Sequence, residues 1–251
     1  MNSIPLFKSH YSKGRSILTL EKPDSVDPNG AQSIIKIAKD HRLKELFLVE
    51  DNPSGFLQAF INCEEQNIQL NFGLRITIAG NMLQKDEETF ATQSKYVIFA
   101  KNKSGYKRLI KIYSKAAKDG FYYEPRIDFK NLKYIWSEKD LTLCVPFYDS
   151  FLHKNSLHDH ICQPDFDFTS PVFMNEDNDN FIDVLIKNKI RDFCKDKHEV
   201  LDAKSIFYHK REDFKAYLTF RCINQRTTLD KPNFDHMTSR EFCFESWKEK
   251  V

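Results

Sequence analysis

Apolar positions along the chain follow two alternating rhythms. In residues 31–42, Ile34, Ile35 and Ala38 recur at helical spacing, and Leu46-Phe47-Leu48-Val49 then forms an apolar run of strand length. Residues 54–66 predict a second helix through Phe56, Leu57, Phe60 and Ile61, followed by a strand over 73–78 and another over 95–100. Residues 103–118 predict an amphipathic helix whose stripe is Tyr106, Leu109, Ile110 and Tyr113. A strand over 141–145 and a long helix over 180–196, with Phe181, Val184, Leu185 and Phe193 in register, continue the alternation. Strand and helix taking turns in this way argue for an α/β fold with a mainly parallel sheet.

Two stretches break the rhythm. Residues 20–30 hold Pro23, Pro28 and Gly30 among acidic residues and read as a surface loop, and residues 146–179, rich in Asp, His, Pro and Asn, read as a long connection. No composition shift marks a domain boundary, and 251 residues suit one large domain. The 22 phenylalanines are spread along the chain, which supplies core material throughout.

The net charge of +2 is not that of an autonomous nucleic-acid binder, so any DNA contact has to come from a local patch or a partner. No apolar run has the roughly 18 residues of a membrane span, and the N-terminus lacks the apolar segment of a secretory signal, so a cytoplasmic location is expected. The six cysteines include no C-x-x-C pair and read as small core residues rather than as a zinc site.

Three segments carry a family resemblance: Phe99-Ala100-Lys101-Asn102-Lys103-Ser104-Gly105-Tyr106, then Gly120-Phe121-Tyr122-Tyr123-Glu124-Pro125-Arg126-Ile127-Asp128, then Thr228-Leu229-Asp230-Lys231-Pro232-Asn233 with Ser239-Arg240-Glu241-Phe242. In order and spacing they resemble the polymerase-and-histidinol-phosphatase (PHP) domain at the N-terminus of the bacterial DNA polymerase III alpha subunit. The resemblance implies a distorted (β/α)7 barrel. It places the barrel at residues 1–223 and makes residues 224–251 an extension like the family's link toward the polymerase palm. It also implies that Lys101, Asn102, Gly105, Tyr106, Gly120, Phe121, Tyr122, Pro125, Arg126 and Asp128 are structural. Gly105 is expected to turn the chain into its helix and Tyr106 to pack that helix back on the barrel.

Active relatives gather His, Asp and Glu at strand ends around two or three metal ions, which acidify a bound water and clamp phosphate oxygens. Here the family's His-x-His-Ser motif aligns with Leu6-Phe7-Lys8-Ser9, and its Thr-Asp-His with Val49-Glu50-Asp51. A ligand Glu aligns with Arg75, a strand-opening His with Lys95, and the late Asn-Asp-x-His motif with Lys204-Ser205-Ile206-Phe207. Leu6, Lys8, Arg75, Lys95, Ser205 and Phe207 thus replace ligands, and only Glu50 and Asp51 keep carboxylates. The expectation is a degenerate site with no catalytic residue, metal or cofactor, in which Lys8, Arg75 and Lys95 pair with Glu50 and Asp51.

His158-Asp159-His160 with Cys162 has metal-like alternation, but the surrounding loop formers favour a polar surface loop, and His10 beside Tyr11 reads as a surface or packing histidine. Lys101, Lys103, Lys107, Arg108, Lys111, Lys115 and Lys118 make one helix basic, either as a solvated face or as a phosphate contact. There is no G-x-S-x-G elbow and no phosphate-cradling glycine loop. The resemblance therefore implies a structural, partner-docking portion of a replicative polymerase. Its expected partners are the polymerase catalytic portion and a proofreading exonuclease subunit, with DNA contacted indirectly or weakly. The alternative is a residual metal-dependent phosphoesterase or 3′–5′ exonuclease using Glu50, Asp51 and the His158/His160 pair.

Overall fold

The computed structural model describes residues 3–27, 30–157, 162–230 and 239–251. His158, Asp159 and His160, and Lys231, Pro232 and Asn233, lie outside them. In chain order the elements begin with β1 (Ile4–Phe7), α1 (Ile34–Asp40), β2 (Glu45–Glu50), α2 (Phe56–Glu65), β3 (Gln69–Ala79) and α3 (Glu87–Ala91). Then come β4 (Ser94–Ala100), α4 (Lys103–Lys118), β5 (Arg126–Asp128), α5 (Phe129–Ile135), β6 (Leu141–Val145) and α6 (Phe151–Leu157). The chain closes with β7 (Val172–Asn175), α7 (Asp183–Cys194), β8 (Val200–Ile206), α8 (Phe214–Gln225) and α9 (Phe244–Lys250). Helices alternate with strands in the α/β fold of PHP-barrel type that the resemblance implies.

The chain forms two compact units. The first comprises Met1–Phe72, Glu176–Asn180 and Asp202–Val251. Its strands run in the order β2-β1-β8, all parallel, with Leu6 of β1 in register with Phe47 on one side and Ser205 on the other. Ser33 caps α1 by accepting from the N–H groups of Ile35 and Lys36, and Ile34, Ile35 and Ala38 are buried as the pattern predicts. Residues 239–251 pack into this unit. The Phe207 N–H donates to Phe242 O at 3.0 Å, Phe7 stacks on Phe244, and the Trp247 indole donates to Ser3 O at 2.8 Å.

The second unit comprises Gly73–Asn175 and Phe181–Leu201, with strand order β7-β6-β4-β3-β5. β4 runs antiparallel to both β3 and β6, whereas the β3–β5 and β6–β7 pairs are parallel. The stretch expected to be one long connection contains α6 and β7, whose few residues are too short to show a period.

Three helical stripes differ from expectation. α4 buries Gly105, Leu109, Ile112 and Ala116, and Ile110 faces solvent. α2 buries Ala59, Asn62 and Cys63, and leaves Leu57, Phe60 and Ile61 exposed. α7 buries Ile186, Ile190 and Cys194 together with Asp183, while Phe181, just before the helix, is 95% exposed. In α2 small side chains let the helix backbone approach its neighbours, whereas α4 and α7 turn aliphatic residues one step round from the expected stripe, Ile112 in α4 and Ile186 and Ile190 in α7, into the contact.

Close approach also explains two glycines. Gly105 lies inside α4 rather than at a turn, and a Cβ there would sit 2.2 Å from Asp140 O. At Gly120 a Cβ would meet Arg126 O at 1.9 Å. Both obstacles are backbone and cannot rotate away. Gly120→Ala is therefore expected to lower the unfolding free energy by about 2 kcal/mol or more, as overpacking does, measured by urea denaturation. Unchanged stability would contradict this packing.

Candidate functional site

In the first unit the ends of β1 and β2 bring Lys8, Glu50 and Asp51 together. Lys8 follows β1, is almost wholly buried, and donates to Asp51 Oδ1 at 2.8 Å. Glu50 ends β2 with no exposed surface. One of its carboxylate oxygens accepts from the Ser9 N–H at 2.8 Å and the other from the Ser12 hydroxyl. The Ser12 oxygen in turn accepts from the Asp51 N–H at 2.9 Å, which ties the segment after β1 to the end of β2. Burial pushes the Glu50 carboxyl up to about 7, against the pull of Lys8 and the donors of Ser12 and Ser9.

On β8 of the same unit, Ser205 donates through its N–H and its hydroxyl to the two oxygens of buried Glu176, at 2.9 and 2.8 Å. Burial raises the Glu176 carboxyl, opposed by these donors, Asn178 and Lys204. Lys204 itself donates to Asp177 O at 2.9 Å. Leu6 is buried within β1, and Phe207 stacks on Tyr217 and Phe242. Leu6, Ser205 and Phe207 thus present hydrocarbon and hydroxyl groups here.

In the second unit, Arg75 and Thr77 alternate on one face of β3, and Lys95 stands opposite Thr77 on β4. Arg75 donates to Asp149 Oδ2 at 2.5 Å, and Lys95 donates to Glu124 and to the Thr77 hydroxyl. The Lys95 N–H also donates to Asp149 O at 2.8 Å, fixing the loop that carries this acid. Burial alone would push the Glu124 carboxyl up. Lys95, Thr77 and Arg75 together outweigh that effect and hold it below the ordinary range. Only Lys8 meets one of the expected carboxylates: Arg75 and Lys95 stand on β3 and β4 and pair with Asp149 and Glu124 rather than with Glu50 or Asp51, and Asp149, Glu124, Ser12 and Glu176 are absent from the residues the sequence singled out. A usable signal existed for two of them: Asp149 closely follows the β6 run, and Glu124 lies inside the Phe121–Arg126 motif.

The motif residues brace the second unit. Asn102 caps α4 by accepting from the Gly105 N–H at 2.9 Å, and its amide donates to Asp140 Oδ1 at 3.2 Å. Lys101 donates to Glu138 O at 2.7 Å, and Arg108 reaches Asp140 at 2.9 Å and Ile135 O at 2.6 Å. Arg126 is fully buried, donates to Gly120 O and Gln84 O, and lies 5.0 Å from the Tyr122 ring centre. Asp128 caps α5 by accepting from the Asn131 N–H at 2.8 Å. Tyr106 is only partly buried beside the stripe that seats α4, Pro125 leads into β5, and the Phe121 ring is half exposed.

His10 is exposed and rests against the Tyr11 ring at 4.5 Å. The Cys162 thiol is buried and contacts Gln93 O. Among the described residues, no three His, Cys, Asp or Glu side chains converge in a metal-binding group, and no helix is long and apolar enough to cross a membrane.

Comparison with known proteins locates this architecture. Residues 29–153 match the PHP domain family. The chain carries a PHP domain. The match covers the PHP segment holding Glu50, Asp51, Arg75, Lys95 and the motif residues 101–128, whereas Leu6, Lys8, Ser205 and Phe207 lie outside it. The chain is also similar to the DNA polymerase III subunit alpha of Borreliella burgdorferi, at 29% identity over 103 residues. That alignment takes in 40% of this chain and spans only 9% of the relative's length.

The raised Glu50 carboxyl makes a pH prediction. Between the unfolded value of 4.5 and the folded value of about 7, the native state binds more protons than the unfolded one, so stability falls as pH rises through that window. Relative to Glu50→Gln, which lacks this titration, the wild type should lose up to about 3 kcal/mol across the window, at about 1.36 kcal/mol per unit. Parallel stability–pH curves from chemical denaturation would refute the burial-driven shift.

Proposed function

We propose that this PHP domain is a non-catalytic structural and docking module of DNA replication, working with the catalytic portion of an alpha-type polymerase, with a proofreading exonuclease subunit, or with both. The observation that carries the reading is the seating of side-chain cations on three carboxylates, one beside the end of β2 and two in loops: Lys8 on Asp51, Arg75 on Asp149 and Lys95 on Glu124. A catalytic divalent cation needs ionised oxygens or neutral imidazoles facing an open position. Here each of these acids already accepts from an ammonium or guanidinium, and both Glu50 oxygens are taken by Ser9 and Ser12. The donor set does not fit the metals of active relatives.

The similarity to a polymerase III alpha subunit, whose length greatly exceeds the matched stretch, supports a polymerase-associated and cytoplasmic setting. In this reading residues 1–223 are the PHP-like barrel and residues 224–251 lead toward the palm. The module is expected to co-elute on size-exclusion chromatography with the polymerase catalytic portion, the exonuclease subunit, or both. Separate elution from each would contradict the docking role. So would manganese-dependent cleavage of labelled DNA that a Glu50→Gln, Asp51→Asn double variant abolishes.

A further inference from the structure

Outside the candidate site, the outer face of α4 has a composition that a solvated helix does not need. Its sixteen residues include no Asp or Glu. Of its six cations, Arg108 is held by Asp140 and Lys115 by Asp119, at 2.9 and 2.7 Å. The other four, Lys103, Lys107, Lys111 and Lys118, are exposed and in no ion pair among the described residues. At about 100° per residue these four fall within about 80° of arc, centred opposite the buried stripe of Gly105, Leu109, Ile112 and Ala116. Lysines spaced i, i+4 repel one another and weaken a helix unless acids are interleaved. None is interleaved here.

The end of this stripe leads within a few residues to unburied aromatic rings. Phe121 is 51% exposed and Tyr123 76% exposed. Tyr123 sits at the apex of a tight turn, with φ of 61°, and the Tyr122 N–H donates to Glu124 O across it at 3.1 Å. A bulky residue with positive φ is uncommon and needs support from its surroundings. That support comes from Tyr122, whose ring lies against Arg126, and from Phe90, whose ring meets Tyr123 edge-on at 5.5 Å. The turn therefore holds the Tyr123 ring outward on a rigid base. Acidic residues Asp86, Glu87 and Glu88 begin α3 beyond Tyr122, so the positive track runs along α4 and stops at the rings.

The geometry points to a binding face for single-stranded nucleic acid, in which Lys103, Lys107, Lys111 and Lys118 follow the phosphates and Tyr123, with Phe121, stacks on bases. Lysines supply salt-dependent attraction without reading sequence. Exposed rings favour a strand whose bases are unpaired, because every base offers a π face. This face does not depend on the docking role proposed above.

The test is fluorescence anisotropy with the full chain and a labelled oligothymidine of about twenty nucleotides, a length that exceeds typical single-strand sites. An oligouridine and a duplex of equal length serve as the other arms. Both single strands should bind at low salt, tighter than the duplex, with a slope of log affinity against log salt of about −3 for four phosphate contacts. Replacing the four lysines by glutamine should flatten that slope. A Phe121→Ala, Tyr123→Ala variant should weaken binding about tenfold and leave the slope unchanged, since base stacking carries no counterion release. These substitutions are at exposed positions, and circular dichroism checks that each variant is folded. No binding at low salt, equal affinity for the duplex, or an aromatic variant indistinguishable from wild type would each overturn the proposal.

Discussion

Asp51, Asp149 and Glu124 each hold a side-chain cation of the same unit at ion-pair distance, and this pairing constrains what the strand ends can bind. A divalent ion arriving at such a carboxylate must displace an ammonium or guanidinium and leave that charge partly buried without its counterion. Separating a buried pair is costly even where forming it adds little to stability. Lys8 shows the point most sharply. Its side chain has almost no solvent exposure, so it has nowhere to move to once Asp51 is taken. Glu50 is closed off differently: the Ser9 and Ser12 donors occupy its two oxygens, and burial lifts its carboxyl to about 7 against their pull.

The motif residues do a separate job. Asn102, Arg108 and Asp140 form a network that fixes the start of α4, and Arg126 ties Gly120 and Gln84 to β5. These are backbone braces and helix caps, and none of them needs a metal. The braces and the ion pairs at the candidate site therefore draw on different residues. The basic face of α4 is built on the same brace, with Asn102 setting where the helix starts and Gly105 and Leu109 setting which side points outward.

Much of the fold was legible in sequence where a period was long enough. The ends of α4 and β6 coincide with the expected 103–118 and 141–145, because a sixteen-residue period and a five-residue β-rich run are unambiguous. β1, β7 and the three-residue β5 are too short to show one. Which helical face is buried was read less well. Phe60, Ile61, Val184 and Leu185 look like core residues by hydropathy, yet Ala59 and Cys63 make the contact of α2 and Ile186, Ile190 and Cys194 that of α7. At the candidate site Lys8, Arg75 and Lys95 were singled out by the resemblance, but their partners were not: Asp149 lies in the loop after β6 and Glu124 just before β5, and which loop acid folds back onto Arg75 or Lys95 depends on tertiary packing that only position in the chain hints at.

Isothermal calorimetry of the purified chain with manganese or zinc measures directly whether these carboxylates can accept a divalent ion. Carboxylates held by Lys8, Arg75 and Lys95 predict no saturable heat. Saturable binding at micromolar metal that disappears in an Asp51→Asn or Glu124→Gln variant would contradict this account.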